Sequence, residues 1–451
     1  MTLSAAPPSS SPPPSDETRL HRALSRSDAI AVAVGSVVGV GIFRTTGQVY
    51  RAAGGALSAM LVWLVLGALS LVGAYVYADL ATRVPEAGGP YAYVRVGFGR
   101  FAGFVDGWFA VIVGNPARQA TGFALIGELL ARMLGVAAPR ALSVAAVVAL
   151  AALNWIGVKA GARSQKVFTG VKLAALIGLI ALALWPHPAT GSTAEASHAL
   201  PPLPFLFALT GAWYAYLGWE DVALLAEELR SPKRDLLVVF VGSVSIVVAF
   251  YLLVNAAILY AADGGPLAGA ELPALEIAHR VLGQRADQAM SGFMLVSMVG
   301  AAAEGLMVRP RFAFALARDG FAPQLLTRVN RGGTPTGALA LHAFLVIALL
   351  LSGSFQHILS LFVFAQAVQS FFESAAYFTI RRRIPAPQLT PLHPVLPALF
   401  VSANATLAVW VAWQEPESVL YALLALAIAM GAYRGRALFT RGRLTAPAAP
   451  Q

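Results

Sequence analysis

The stretch Gly35-Ser36-Val37-Val38-Gly39-Val40-Gly41-Ile42-Phe43 decides how the rest of the chain is read. It sits in the middle of an apolar run from about Asp28 to Tyr50. A glycine in a helix interior costs about 1 kcal/mol against alanine, and Gly35, Gly39 and Gly41 fall close together here. In hydrocarbon, freed backbone groups must find partners inside the protein. Two readings follow. In one, Gly35 and Gly39 form a small-residue face that packs on another helix. In the other, the helix is broken, the broken backbone lines a polar cavity, and the half-helix ends bind a charged or zwitterionic solute. A second interruption elsewhere in the chain would separate them.

The composition says what kind of molecule holds this stretch. Of 451 residues, 58% are hydrophobic and 12% charged, which excludes an ordinary soluble domain and points to an all-α polytopic protein whose partner is the lipid bilayer. The absence of cysteine excludes disulfides, thiolate catalysis and Cys-ligated metal, and no metal-ligand spacing or cofactor motif is present. Neither metal nor cofactor is expected. The net charge of +10 lies in short basic clusters between apolar runs, so it reads as a topology signal and no nucleic-acid partner is expected.

Apolar windows give twelve transmembrane spans, near residues 27–50, 56–80, 102–133, 140–157, 166–185, 203–228, 235–262, 288–316, 336–352, 356–380, 395–413 and 417–434. Basic clusters such as Arg19/Arg22/Arg26, Lys159/Arg163/Lys166, Arg230/Lys233/Arg234 and Arg381/Arg382/Arg383 fall on one side. The positive-inside rule then places both termini in the cytoplasm and the chain in the cytoplasmic membrane. Residues 1–26 read as a Ser/Pro-rich cytoplasmic tail, disordered to about Thr18, without the basic start and apolar core of a signal peptide. Residues 27–383 hold spans 1–10, 384–440 hold spans 11 and 12, and 441–451 form a second cytoplasmic tail.

The second interruption is in span 6, at Trp213-Tyr214-Ala215-Tyr216-Leu217-Gly218-Trp219-Glu220, where a glycine and the acids Glu220 and Asp221 interrupt an apolar run. Span 6 begins five spans after span 1 and so enters from the opposite side. Interrupted helices at corresponding positions of two inverted halves point to a transport site at mid-membrane.

At these residues the sequence resembles the amino acid–polyamine–organocation (APC) permeases of the LeuT-like fold. The opening stretch is similar to their Gly-x-x-x-Gly-x-Gly-Ile-Phe motif. Pro85-Glu86-Ala87-Gly88-Gly89-Pro90-Tyr91-Ala92-Tyr93 resembles the inner loop after span 2, and Gly103-Phe104 with Gly107-Trp108 the entry to span 3. Ala226-Glu227-Glu228 with Ser231-Pro232-Lys233-Arg234-Asp235 resembles the exit of span 6, and Ala317-Arg318-Asp319-Gly320-Phe321-Ala322-Pro323 the loop after span 8. The resemblance implies twelve helices, a 5+5 inverted repeat followed by two extra helices, and secondary transport of L-amino acids. Proton-coupled uptake by alternating access is the expectation, with an amino acid/polyamine exchanger or exporter as the alternative. An integral-membrane enzyme would need a metal-ligand cluster or a convergent His/Asp pair, and none appears.

The expected substrate site follows from the two breaks. A half-helix starting at Val40-Gly41 presents unsatisfied N–H groups and a positive dipole end, which suit a carboxylate. Carbonyls freed at Val37, Tyr214, Ala215 and Leu217 suit an ammonium group. Gly39, Tyr216, Gly218 and Trp219 complete the set, with Tyr216 and Trp219 as gate, pocket wall or core packing. Lys172 in span 5 and Glu220 after the break are the expected ion-coupling residues, with protons as the coupled ion. Lys172 has a bland alternative in snorkelling to the surface. Asp221 reads as structural. Arg118, Glu128, Glu304 and Glu373 also lie within spans, where charges rarely face lipid. Arg118 is expected to neutralise Glu304 or Glu373.

Overall fold

The computed structural model describes residues 20–39, 41–185, 202–262, 272–352 and 355–414, with isolated positions from 416 to 433. Val40, the N-terminal tail to residue 19, the C-terminal tail and much of the expected span 12 lie outside the described residues.

The fold is all-α. Span 1 is two helices, α1 (Arg26–Val37) and α2 (Gly41–Ala53), followed by α3 (Ala56–Arg83) and the short α4 (Pro90–Phe98). Span 3 is α5 (Arg100–Phe109) joined through a π-helical turn at Ala110–Gly114 to α6 (Asn115–Leu134). Then come α7 (Pro139–Ile156), α8 (Val158–Ala183) and the interrupted span 6, α9 (Pro202–Tyr216) with a 3₁₀ segment Trp219–Glu228. The chain continues with α10 (Pro232–Ala262), α11 (Pro273–Leu282), α12 (Arg285–Val308), α13 (Pro310–Arg318), α14 (Thr336–Ser352), α15 (Phe355–Arg383) and α16 (Val395–Gln414). Among the described residues, six stretches are individually long and apolar enough to cross a membrane: α3, α7, α8, α10, α12 with α13, and α16.

Local chemistry explains the boundaries. Ser25 starts α1 with a reciprocal cap: its hydroxyl accepts the Asp28 N–H at 3.3 Å and Asp28 accepts the Ser25 N–H at 2.8 Å. Prolines stand in the first turn of α4, α7 and α11, where the missing N–H costs nothing. Pro310 divides the expected span 8 into α12 and α13. Neither α4 nor α11 stands out in the apolar pattern, since each lies between spans.

Packing pairs elements that stand five spans apart. The interrupted span 1 lies on the interrupted span 6 through α2 with α9 and α1 with the 3₁₀ segment. In the same way α3 lies along α10, α6 against α12 and α7 against α14. At the end of the bundle where residues 20–28 enter, charges hold the elements together. Arg26 meets Asp235 at 2.6 Å and Lys166 meets Asp28 at 2.7 Å. Glu227 takes Arg318 at 2.8 Å and the Ala87 N–H at 2.7 Å, while Arg311 pairs with Glu228 in full burial. Asp319 joins the cluster, within ion-pair distance of Arg95 at 3.0 Å and accepting from the Tyr91 hydroxyl at 2.6 Å. Burial and the adjacent Asp319 push the Tyr91 phenol up, so it remains a donor at any ordinary pH.

Candidate functional site

Both interruptions are present as helix breaks. Helix α1 ends at Val37, Val38 turns extended (φ −69°, ψ 93°), and helix resumes at Gly41. In span 6 the α-helix stops at Tyr216, Gly218 adopts φ +124°, and tighter 3₁₀ turns begin at Trp219. Side chains tie the breaks together. Ser36 Oγ lies 2.8 Å from the Ala33 carbonyl and 2.9 Å from the Gly218 carbonyl. The Tyr251 hydroxyl, from α10, lies 3.0 Å from both the Val37 and the Ala215 carbonyls. A Cβ on Gly218 would sit 2.9 Å from the Ser36 oxygen, so this approach needs glycine on conformational and steric grounds.

The glycines of the opening stretch divide between the two readings. A Cβ on Gly35 would fall 2.3 Å from Thr169 Oγ1 and 2.4 Å from Gln165 Nε2, so Gly35 is a packing glycine against α8. A Cβ on Gly39 would meet nothing closer than 3.8 Å. Gly39 belongs to the break.

A cavity of about 140 Å³ lies at the breaks. Val37, Gly39, Gly41, Tyr214, Ala215 and Leu217 line it, joined by Arg118, Gln119 and Thr121 of α6, Met298 and Glu304 of α12, Arg309 and Phe362. Tyr216, Gly218 and Trp219 are not among its walls. The turn at Leu217–Gly218 directs both aromatic rings toward α3 and α10. Tyr216 packs on Trp63 and Tyr251 with its hydroxyl 3.2 Å from the Trp63 carbonyl, and Trp219 packs edge-on against Tyr77 at 5.2 Å. Gly218 acts through its geometry.

Lys172 is fully buried, and its Nζ donates to the Gly35 carbonyl at 2.7 Å, one turn before the break. Glu220 accepts the Gly218 N–H at 2.8 Å and faces Arg118 at 3.4 Å. The expectation that Arg118 neutralises Glu304 or Glu373 is corrected: Arg118 lies 3.4 Å from Glu220 and 3.9 Å from Asp221. Reversal of the chain at Gly218 brings both acids beside α6, ahead of the carboxylates on α12 and α15. Arg118 also lies 3.4 Å from Gln366 and over the Phe362 ring at 5.6 Å. Asp221 is held by Arg309, which donates to Asn115 Oδ1 at 2.8 Å. Glu304 is buried in the cavity wall with Oε1 lacking a hydrogen-bond partner among the described residues. Glu128 is exposed.

Ser36, Tyr251 and Arg309 are site residues that the sequence reading does not single out. A serine within the quoted stretch and a basic residue in an apolar span were available signals. A tyrosine on a long apolar helix carries none.

Interrupted helices meeting on a buried charged cavity, within a bundle of apolar helices, define a membrane transporter. Comparison with known proteins gives the family. The amino acid permease family model matches residues 24–433, and the chain belongs to that family, within the APC superfamily. It is similar to the serine/threonine exchanger SteT of Bacillus subtilis (strain 168), with 26% identity over 398 residues, 86% of this chain and 91% of that protein. It is also similar to the human large neutral amino acids transporter small subunit 2, at 28% identity over 88% of this chain and 77% of that protein. The human cystine/glutamate transporter shares 26% identity over 86% of this chain and 80% of its own length.

Proposed function

We propose that this chain carries L-amino acids across the cytoplasmic membrane by alternating access, with the cavity at the two breaks as its substrate site. The observation that carries this reading is the meeting of two broken helices, five spans apart, over a buried cavity with both charge signs in its walls. The start of α2 offers orphan N–H groups to a carboxylate, and Gly41 lets the solute approach the backbone closely. Carbonyls of Val37, Tyr214, Ala215 and Leu217 receive the ammonium group. Tyr251 already contacts two of them, but each carbonyl oxygen has a second lone pair to offer. This recognition selects the amino-acid backbone and leaves the substrate side chain to Thr121, Met298 and Phe362.

The packing of spans 1–4 on spans 6–9 supports a ten-helix inverted core of LeuT type, with spans 11 and 12 outside it and both termini in the cytoplasm. We assign coupling to Lys172 and Glu220 and favour proton-coupled uptake. Lys172 has a backbone carbonyl and, among the described residues, no carboxylate within ion-pair distance, so its proton can leave without breaking an ion pair there. Exchange is the second reading, favoured by the likeness to an exchanger.

Purified protein in proteoliposomes tests both. Labelled amino acids should accumulate in empty vesicles when the external medium is made acidic. Uptake that ignores the pH gradient and requires an amino acid inside would establish exchange. A folded protein that moves none of the common L-amino acids under either condition would defeat the substrate assignment.

A further inference from the structure

The charged side chains around the cavity at the two breaks do not balance. Two cations line it, and each has its acid: Arg118 lies 3.4 Å from Glu220, and Arg309 is paired with Asp221. A third acid, Glu304, is 3% exposed and also lines the cavity. Its Oε1 is buried without a hydrogen-bond partner, and among the described residues its carboxyl group forms no ion pair. Lys172 of α8 passes close by but does not serve it. The Lys172 Cε lies 3.0 Å from the point that a Cβ on Gly300 would occupy, one turn of α12 before Glu304. Its Nζ is spent on the Gly35 carbonyl of α1, at 2.7 Å.

Helix α12 is clamped at this turn. Gln119 of α6 donates to the Ala302 carbonyl at 3.1 Å, and Asn154 of α7 donates to the Ala303 carbonyl at 3.1 Å. A Cβ on Gly305 would fall 2.3 Å from Gln119 Nε2. The backbone that carries Glu304 is therefore fixed between two helices, and rotation of α12 cannot take the carboxyl group out of the wall. A carboxylate held out of water without a counter-ion is costly, and a cation brought to it removes the cost. In this cavity the group that can arrive is the solute. The approach suits an alkyl stem. Met298, Ala301 and Ala302 line the cavity on α12 ahead of Glu304, at spacings of three and four that share a helix face. At about 140 Å³ the cavity has about ten times the room that one ordered water needs.

We propose that the solute is an L-amino acid whose side chain ends in a cation, and that Glu304 is the receptor for that cation. This rests on the cavity being the substrate site. The two breaks take the amino-acid backbone, the stem lies over Met298, Ala301 and Ala302, and the terminal ammonium or guanidinium meets Glu304. The solute then supplies the third cation to the third carboxylate. An acidic side chain would do the reverse. It would bring a fourth carboxylate to the two arginines and would have to draw Arg118 away from Glu220 and Asp221.

Binding to the purified full-length chain, read as thermal stabilisation over a range of solute concentrations, tests this with three matched solutes. They are L-lysine, L-norleucine, which lacks the ammonium, and 6-hydroxy-L-norleucine, which ends in an uncharged donor. Lysine should bind at least about tenfold more tightly than either of the others. Glu304→Gln should bring lysine down to the level of norleucine, and should that variant not fold, the wild-type order of the three solutes decides by itself. Norleucine or its hydroxyl derivative binding as tightly as lysine, or an acidic amino acid binding more tightly, would overturn the cationic class and leave the cavity as an amino-acid site. A lysine preference that survives Glu304→Gln would overturn the role of Glu304. Binding of none of the common L-amino acids would defeat the substrate-site reading itself, and this proposal with it.

Discussion

Gly218 shows how far single residues can be read. Its φ of +124° would cost another residue about 1–3 kcal/mol, before the contact of a Cβ with the Ser36 carbonyl is counted. Gly218→Ala should lower the melting temperature and abolish uptake; wild-type stability would mean that the breaks do not depend on this contact. Lys172→Ala removes the bond to the Gly35 carbonyl. It should end gradient-driven accumulation while leaving part of the counterflow exchange, and an unchanged gradient response per folded molecule would remove Lys172 from coupling. These residues were legible because glycines and a lysine are costly in an apolar helix, and a cost signals a use. Tyr216 and Trp219 were not legible. They flank the break, but whether a ring faces the cavity or the core depends on where the turn falls, and one residue of displacement rotates a side chain by about 100°. Arg118 misled for a related reason, since its partner is chosen by the chain reversal at Gly218.

At the scale of elements, two ion pairs at the same end of the bundle should behave differently. Arg26–Asp235 ties the N-terminal segment to α10 with the Arg26 side chain 41% exposed, whereas Arg311 and Glu228 are 1% and 0% exposed. Asp235→Asn should shift stability by under about 1 kcal/mol. Arg311→Met strands a buried carboxylate and should cost about 3–5 kcal/mol. Thermal unfolding in detergent compares the two, and equal effects would contradict the difference in burial. The interruptions of spans 1 and 6 were legible as glycine-rich runs. The division of span 8 at Pro310 was not, because α12 and α13 remain apolar enough to read as one span. Helix α4 begins after Gly88 and Gly89, both at positive φ, and a short helix between spans leaves no long apolar pattern to find.

For the whole molecule, the charged contacts around Glu227, Arg318, Asp319 and Arg95 close the end that we assign to the cytoplasm. Charge-assisted hydrogen bonds are worth about 1.5–3 kcal/mol each, and about 1.4 kcal/mol is a tenfold change in a population. Glu227→Gln weakens both the Arg318 and the Ala87 contacts and should favour the state open at that end. The chain contains no cysteine, so a Thr121→Cys variant reports accessibility of the cavity against a silent background. Its labelling from the vesicle face corresponding to the cytoplasm should rise about tenfold when Glu227→Gln is added. No change would show that closure rests on other contacts.

The position of Tyr251 has a consequence for how such a molecule changes state. Its single hydroxyl hydrogen stands between two acceptors, one on each broken helix, at equal distances of 3.0 Å. One hydrogen cannot fully serve both, so the junction holds two near-degenerate arrangements instead of one deep minimum. Sliding of one break past the other can pass the hydrogen across without a moment at which it is unbonded. On the proposed alternating-access reading, the tyrosine works as a bearing between the helices, and its hydroxyl lowers the barrier between states more than it stabilises either. Tyr251→Phe should accordingly slow turnover while leaving substrate affinity close to that of the wild type, and a loss of affinity at unchanged turnover would show that it is a fixed strut.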